Sequence, residues 1–177
     1  ALLEVPIMLA AMDLFAGPRY RVIDKVGMPH VTRFIALKLA SFDTSLLDWV
    51  KLLPLNRKEL LHGACHFPYR EDPATNQWVH GYRIRASVNV DMEPPFSYMH
   101  WGRIAAPQNP RGWVSGEQKF HFRDLDECAV HTLAHECFHF LSDSRQLKEA
   151  NTEANANWWA DHWMAEFSAL CVTTAEA

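Results

Sequence analysis

The chain has 177 residues, of which 49% are hydrophobic and 21% charged, and its formal net charge at pH 7 is −4. This composition predicts one globular domain over residues 1–177 with a core of its own, and it argues against a strongly basic nucleic-acid binder. No apolar run approaches the ~20 residues that cross a bilayer, so we expect no membrane partner. The acidic net charge leads us to expect no nucleic-acid partner either.

Four cysteines are present, and no two of them form a CxxC pair. They are Cys65, Cys128, Cys137 and Cys171. We expect reduced thiols, with a long-range bridge such as Cys65 to Cys171 as the alternative. The apolar start, residues 2–11, lacks a basic leading region and makes a poor signal peptide. We therefore expect a cytoplasmic protein, with a leader cleaved before Ala1 as the alternative.

The first third of the chain, residues 1–62, is predicted to be mainly helical. Its densest apolar cluster covers residues 46–53 and stops at Pro54. Proline ends regular structure because it lacks an amide hydrogen and restricts the residue before it.

Residues 63–123 are predicted to form a sheet and loops. Residues 82–90 alternate between apolar and polar, as a half-buried strand does, and residues 118–123 alternate in the same way. Between them, residues 94–112 contain four prolines and two glycines, which predicts an irregular loop lining a cleft.

Residues 124–177 are predicted to form two helices that carry the chemistry. Asp124 is a suitable N-cap with Glu127 as its capping-box partner, and this helix should run to about Leu141. A break at residues 142–144 precedes a second helix over about residues 148–170. The predicted class is α+β, with a small sheet packed on these helices.

The first of these helices carries an HExxH motif, His135-Glu136-Cys137-Phe138-His139. Residues four apart lie on one face of a helix, so both imidazoles can reach the same zinc ion. Glu136 lies beside the first histidine and is the candidate general base for a water at the metal. The sequence therefore predicts Zn²⁺ held by His135 and His139, with Glu136 catalytic.

A third ligand is expected from the second helix. At 100° per residue, Glu153 lies on the same face as the apolar residues of that helix, where a carboxylate needs a partner. Glu153 is therefore the predicted ligand, and Glu149, one turn earlier, is the alternative. Asn157, one turn later, is predicted to orient Glu153, and Asp161 is a candidate to hold the outer nitrogen of a ligand histidine.

The motif and the string Glu153-x-x-Ala156-Asn157-x-x-Ala160 resemble the gluzincin metallopeptidases, in particular the glutamate helix of small bacterial and phage zincin-like peptidases. The resemblance covers residues 124–167. It implies a zincin-like fold, in which a small mixed sheet packs on the active-site helix and a glutamate helix follows. It also implies zinc, a peptide or protein substrate and a cleft bounded by an edge strand, for which residues 118–123 and 82–90 are the two candidates.

Other side chains were weighed for the same site. His131 lies one turn before His135 and is expected to be a partly exposed histidine near the helix start, with a position behind the ligands or a contact to substrate as the alternatives. An oxyanion donor across the cleft could come from Tyr98, His100, Arg103 or Arg111. Trp158 is predicted to face outward and to mark a protein contact through the Trp-rich C-terminal helix.

Three functions are compatible with these patterns. The leading hypothesis is a zinc metallopeptidase. The second is a non-proteolytic zincin-like module that binds zinc and acts through protein–protein interaction. The third is a metal-free α+β interaction domain in which the motif occurs by chance.

Overall fold

The computed structural model describes residues 18–56, 58–72, 77–93, 96–105, 108, 110 and 113–175. Its elements in chain order are β1 (Arg21–Asp24), α1 (Pro29–Leu39), β2 (Leu47–Pro54), β3 (Leu61–His66), β4 (Tyr69–Asp72), β5 (Gln77–His80), β6 (Tyr82–Val88), β7 (Phe96–Ala105), β8 (Trp113–Phe122), α2 (Leu125–Asp143) and α3 (Glu153–Ala175). The protein is a mixed α+β protein, as predicted.

A four-stranded mixed sheet in the order β1-β2-β6-β3 organises the core. Strands β1, β2 and β6 are parallel, and β3 runs antiparallel to β6. The face that packs against the helices carries five side chains that are at most 2% exposed: Val50, Leu52, Ile84, Ala86 and Val88. Parallel strands need a crossover connection, and α1 supplies one between β1 and β2.

The prediction that residues 1–62 are mainly helical is wrong for the apolar cluster, which forms strand β2. Apolar side chains stand on both faces of β2, with Val50 and Leu52 on one and Trp49 and Leu53 on the other, so the segment lacks a clear alternation and looks like a helix in sequence. A register shift between Leu47 and Trp49 also disturbs the alternation that would have marked the strand. Residues 1–17 lie outside the described residues.

A long hairpin of β7 and β8 stands beside the main sheet and pairs in register from Phe96 with Phe122 to Ala105 with Trp113. The prediction of an irregular stretch over residues 94–112 is therefore wrong for Phe96–Ala105. The reason is that Pro94-Pro95 and Pro107 flank this strand and do not interrupt it. The predicted strand over residues 118–123 corresponds to the second half of β8.

Helix α2 forms the centre of the helical layer, and its prediction is confirmed. Asp124 Oδ1 accepts from the Glu127 amide at 2.8 Å, as an N-cap does. Glu127 does not return the bond to Asp124, because its carboxylate accepts from the backbone and side chain of Arg123 at 2.6 Å each. The helix ends at a left-handed residue, Arg145, and the Gln146 amide donates to the Leu141 carbonyl.

Helix α3 packs along α2 and begins at Glu153, five residues later than predicted. The Thr152 hydroxyl accepts from the Asn155 amide and caps the helix start. Four inward side chains are at most 5% exposed: Ala156, Ala160, Trp163 and Phe167. Among the described residues, no helix combines the length with the apolar character that a bilayer crossing requires.

Candidate metal centre

An open cleft of about 530 Å³ lies between α2, the start of α3, strand β3 and the β7–β8 hairpin. The residues that line it come from all four elements and from two loops. They are Leu61, His62, Gly63, Cys65, Phe67, Tyr98, Phe120, His131, Thr132, His135, Glu136, His139, Asn151, Glu153 and Asn157. The three polar side chains of the HExxH motif, those of His135, Glu136 and His139, therefore face one cavity.

The three predicted ligands converge in this cleft. The Nε2 atoms of His135 and His139 are 3.1 Å apart. The two carboxylate oxygens of Glu153 lie 3.1 Å from His135 Nε2 and 3.5 Å from His139 Nε2. One ligand atom from each residue lies within 4.8 Å of the others, which suits a single metal ion.

Two local features bring these groups together. The histidines are one turn apart on α2, and Glu153 is the first residue of α3, which packs against α2. Glu153 remains about half exposed, because it sits at the mouth of the cleft. Glu149, the alternative ligand, lies in the exposed loop before α3 and does not belong to this group.

Each candidate ligand histidine is held at its outer nitrogen by an asparagine. His135 Nδ1 lies 2.9 Å from Asn157 Oδ1, and His139 Nδ1 lies 2.6 Å from Asn151 Oδ1. Nδ1–H donation to an amide oxygen leaves the Nε2 lone pair directed at the metal position. Asn157 thus orients His135 and not Glu153 as predicted, and its own Nδ2 donates to Gln118 at 3.3 Å.

Asn151 was missed by sequence reasoning. It lies in the loop before α3, where helical periodicity says nothing about direction. A polar residue two positions before a candidate ligand was the only available signal.

Asp161 contacts His131 and neither of the ligand histidines, so the role predicted for it is not the one the structure gives. Its Oδ1 lies 3.3 Å from His131 Nε2. His131 is also not partly exposed as predicted. It is only 5% exposed, with its ring 4.9 Å from Phe120 and 5.2 Å from Phe122. Burial lowers the pKa of His131 despite the neighbouring Asp161 carboxylate.

The proposed base, Glu136, is 8% exposed and lies against strand β3. The Cys65 backbone amide donates to its carboxylate, and a Cβ atom on Gly63 would overlap its Oε1. Burial raises the pKa of Glu136, with a further contribution from Glu153, although the two ligand histidines oppose the shift. A raised carboxyl pKa suits a group that must take up a proton near neutral pH.

The strand beside the site is β3, which neither candidate for the edge strand anticipated. Strand β6, containing most of residues 82–90, is paired on both sides, and β8 belongs to the separate hairpin. Strand β3 pairs with β6 on one side, and no other strand in the described part of the chain pairs with its outer edge. The sequence of β3 is short and mixes apolar with polar residues, with Gly63 facing the helix, so no alternation marked it as the edge strand.

The remaining candidates can now be placed. Tyr98 lines the cleft, and burial raises the pKa of its hydroxyl, which therefore stays protonated and can donate. His100 and Arg103 belong to β7, but their side chains, like Arg111, lie outside the described residues.

Trp158 is 55% exposed, which confirms its outward orientation. All four cysteines are in the described part of the chain, and none forms a disulfide.

The donor set consists of two imidazole nitrogens and one carboxylate oxygen, with the side toward the cleft left open. Catalytic zinc sites use this combination of three protein ligands and one exchangeable position. Comparison of the chain with protein-family models, with curated proteins and with solved structures finds no match.

Proposed function

We propose that the protein is a zinc-dependent metallopeptidase with a zincin-like fold. The observation that carries the proposal is the convergence of His135, His139 and Glu153 beside the buried carboxylate of Glu136. The mixed sheet packed on α2, with α3 bringing the glutamate, supports the zincin-like part of the proposal.

Zinc fits the donor set better than a hard cation does. Imidazole nitrogen is a preferred zinc ligand, whereas calcium and magnesium select oxygen. The asparagine contacts to both outer nitrogens are the support that zinc-bound histidines need. A bound zinc ion supplies Lewis-acid polarisation of a carbonyl and lowers the pKa of a water molecule.

The chain's own groups then divide the proton transfers. Glu136 accepts the proton of the attacking water at its carboxylate and passes it to the leaving amine nitrogen. The Cys65 amide and the close approach of Gly63 hold that carboxylate in one place. The Tyr98 hydroxyl lies on the hairpin side of the cleft and can donate a hydrogen bond to the developing oxyanion.

Strand β3 is the proposed substrate platform. An extended peptide can add to the outer edge of β3 through main-chain hydrogen bonds, which gives affinity without a requirement for one sequence. Glu136 lies against the same strand, so a peptide bond held there comes close to the base.

Metal analysis and peptide cleavage test the proposal together. We expect one zinc per chain in the purified wild-type protein and cleavage of members of a broad peptide library. Glu136→Gln should keep the zinc and lose about 10²- to 10⁴-fold in rate, since it removes only the base. A zinc-loaded wild type that cleaves no peptide in the library would rule out the peptidase.

The third ligand has a matched control in the chain. Glu153→Ala should weaken zinc binding strongly, whereas Glu149→Ala, an identical change in the exposed loop, should leave it unaltered. Competition with a chromogenic chelator measures both. Equal zinc affinity in the two variants would show that Glu153 is not a ligand.

A second candidate function is a non-proteolytic zinc-binding module that acts through a protein partner. The observation in its favour is Trp158, which is 55% exposed and contacts His162 with ring centroids 4.0 Å apart and a tilt of 35° between the rings. A cavity of about 380 Å³ lies beside it, between α1 and α3. Under this function, zinc would raise the melting temperature while Glu136→Gln would change neither partner binding nor activity.

A further inference from the structure

Strand β8 turns one row of side chains toward the two helices that carry the candidate metal ligands. Side chains alternate along a strand, so Gln118, Phe120 and Phe122 share a face. Phe120 and Phe122 are 8% and 2% exposed, and their rings lie 4.9 Å and 5.2 Å from the His131 ring of α2. Gln118 continues this apolar row as a half-buried amide, which needs a polar partner.

The partner of Gln118 is a residue of α3 that itself contacts a candidate ligand. Gln118 Oε1 accepts from Asn157 Nδ2 at 3.3 Å, and Asn157 Oδ1 lies 2.9 Å from His135 Nδ1. Asn157 is only 5% exposed, so solvent offers its amide little alternative. Side chains from β8, α3 and α2 therefore form one row of hydrogen bonds, which we call the Gln118 relay, and this row ends at the candidate metal position.

The direction of the hydrogen bonds in the Gln118 relay matters for a metal. An asparagine amide has a donor end and an acceptor end, so an acceptor at Nδ2 leaves Oδ1 for the His135 ring. Because Oδ1 can only accept, the ring proton then lies on Nδ1, and the Nε2 lone pair is free for zinc. With the amide reversed, Nδ2 would donate to Nδ1 and the proton would occupy Nε2. The acceptor presented by Gln118 thus favours the form of His135 that can bind zinc.

The other candidate ligand histidine, His139, is supported by a local contact. Its partner Asn151 lies in the loop before α3, with Oδ1 at 2.6 Å from His139 Nδ1. That loop is fastened to the start of α3, since Asn155 Nδ2 donates to the Ala150 carbonyl at 2.8 Å. The Gln118 relay, in contrast, joins the ligand set to the β7–β8 hairpin, which is remote from it in the sequence.

We propose that Gln118 is a positioning residue for the metal and that the β7–β8 hairpin sets part of the zinc affinity through it. Gln118 orients Asn157, and Asn157 orients His135. Docking of the hairpin against α2 and α3 therefore tightens zinc binding. Zinc in turn stabilises the docked hairpin by the same factor, because coupling between two equilibria is reciprocal. The proposal rests on the zinc-binding part of the proposed function and does not depend on peptide cleavage.

Zinc affinity, measured by competition with a chromogenic chelator, tests the role of Gln118. Gln118→Met keeps the length of the side chain and removes its acceptor. We expect zinc to bind about 3- to 10-fold more weakly, less than the loss of about 10- to 100-fold that is typical when a direct partner of a ligand is removed. Melting curves of the metal-free proteins verify folding.

The matched control is Gln108→Met, the identical change at an exposed position between β7 and β8. It should alter the zinc affinity less than about twofold, as a surface substitution does. Equal zinc affinities in Gln118→Met and Gln108→Met would overturn the proposal. A wild type that binds zinc but cleaves no peptide would refute the peptidase and leave the Gln118 relay intact.

The direction of the hydrogen bond is tested by a variant that can only accept. Gln118→Glu presents a carboxylate, which fixes Asn157 in the arrangement that favours zinc. Lys119→Gln makes the same change in charge at an exposed position of β8 and is the control for electrostatic attraction. We expect Gln118→Glu to bind zinc at least as tightly as wild type and more tightly than Lys119→Gln. If it binds zinc as weakly as Gln118→Met, the acceptor has no role and the proposal is wrong.

The ring proton of His135 provides a readout that requires no zinc. Glu153→Ala removes the carboxylate 3.1 Å from His135 Nε2, so in this background the position of the proton reports on Asn157. Nitrogen-15 NMR at a pH where the ring is neutral should show the proton on Nδ1, and both tautomers once Gln118→Met is added. A proton on Nε2 with either residue at position 118 would overturn the role of Gln118. A wild type that binds no zinc would instead refute the proposed function, and the tautomers would still decide whether Gln118 orients Asn157.

Discussion

The two faces of the central sheet are built from the same strands and carry opposite chemistry. Toward α2, the side chains of Val50, Ile84 and Val88 are at most 2% exposed, and Gly63 leaves room for Glu136. On the other face, which we call the basic face, the register places Arg21, Trp49, Arg83 and His66 side by side, one from each of the four strands. Since side chains alternate along a strand, one sequence segment can serve two independent purposes.

The two faces of the sheet contribute differently to folding and to function. The helix-side face provides apolar burial, which is the main favourable term in folding, and the candidate metal centre borders it at β3. The basic face places like charges next to each other, which opposes folding. Changes on the two faces should accordingly have different consequences.

The largest difference between changes at the candidate metal centre and changes elsewhere is expected in the rate of catalysis. Glu136→Gln should lower kcat for a cleavable peptide by about 10²- to 10⁴-fold with zinc retained, because it removes the proton acceptor and keeps the shape. The exposed substitution Arg33→Gln serves as the control and should leave kcat unchanged. Cleavage by Glu136→Gln at the wild-type rate would contradict the assignment of the base.

The next difference concerns packing. Ile84→Ala on the helix-side face should cost about 2–5 kcal/mol of unfolding free energy, since the side chain is fully buried and leaves a cavity. Leu53→Ala, on the half-buried basic face, should cost less than half of that. Urea denaturation of both variants measures the two costs. Equal losses would mean that the basic face is packed as tightly as the core.

A third test exploits the close contact of β3 with the base. Gly63→Ala places a methyl group on Glu136 Oε1, so the strand or the carboxylate must move. We expect a loss of about 1–3 kcal/mol in stability, as for an overpacked core, together with a loss of activity. Ala64→Ser, one residue along on the basic face, should cost less than about 0.5 kcal/mol. An active and stable Gly63→Ala protein would refute this contact.

The smallest expected effect concerns the anchor of α2. Burial raises the pKa of Glu127, but hydrogen bonds from the Arg123 backbone, Ser168 and the Arg123 side chain outweigh it and lower the pKa overall. A lowered folded-state pKa stabilises the protein above the unfolded-state pKa, and this contribution is lost as the pH falls through the folded value. Glu127→Gln should therefore cost about 1–3 kcal/mol at pH 7, as a charged hydrogen-bonding group does.

Urea midpoints of the metal-free protein measure this dependence between neutral and acidic pH. The gap between wild type and Glu127→Gln should narrow below the ordinary pKa of glutamate, about 4.3. A gap that is constant down to the lowest pH would show that Glu127 contributes through packing and not through its charge. The comparison uses chelated protein so that release of a metal does not contribute.

Local interactions account for the parts of the molecule that the sequence predicts well. The helix of the HExxH motif, its Asp124 cap and the orientation of Glu153 toward the two histidines depend on contacts within four residues or on the period of a helix. Their geometry is set almost entirely by the chain's own spacing. The α+β class followed from the same patterns and is confirmed.

Long-range pairing accounts for the parts that the sequence predicts poorly. Strand β2 was predicted as helix, β7 as a loop, and β3 was not recognised as the edge strand. A segment with six apolar residues in eight, such as residues 46–53, suits a helix or an interior strand equally, and only its hydrogen-bonding neighbours decide between them. Asn151 and the Asp161–His131 contact were missed for the same reason, since each joins residues from different elements.

The sequence by itself determined which residues can meet at a metal, because two histidines one turn apart and a glutamate on the inward face of the next helix are facts of helical spacing. Only the tertiary structure decided what surrounds them. It set β3 against Glu136, supplied an asparagine to each histidine, and brought four cations from three strands onto one face. Net charge is a sum over the chain, and a sum carries no information about position.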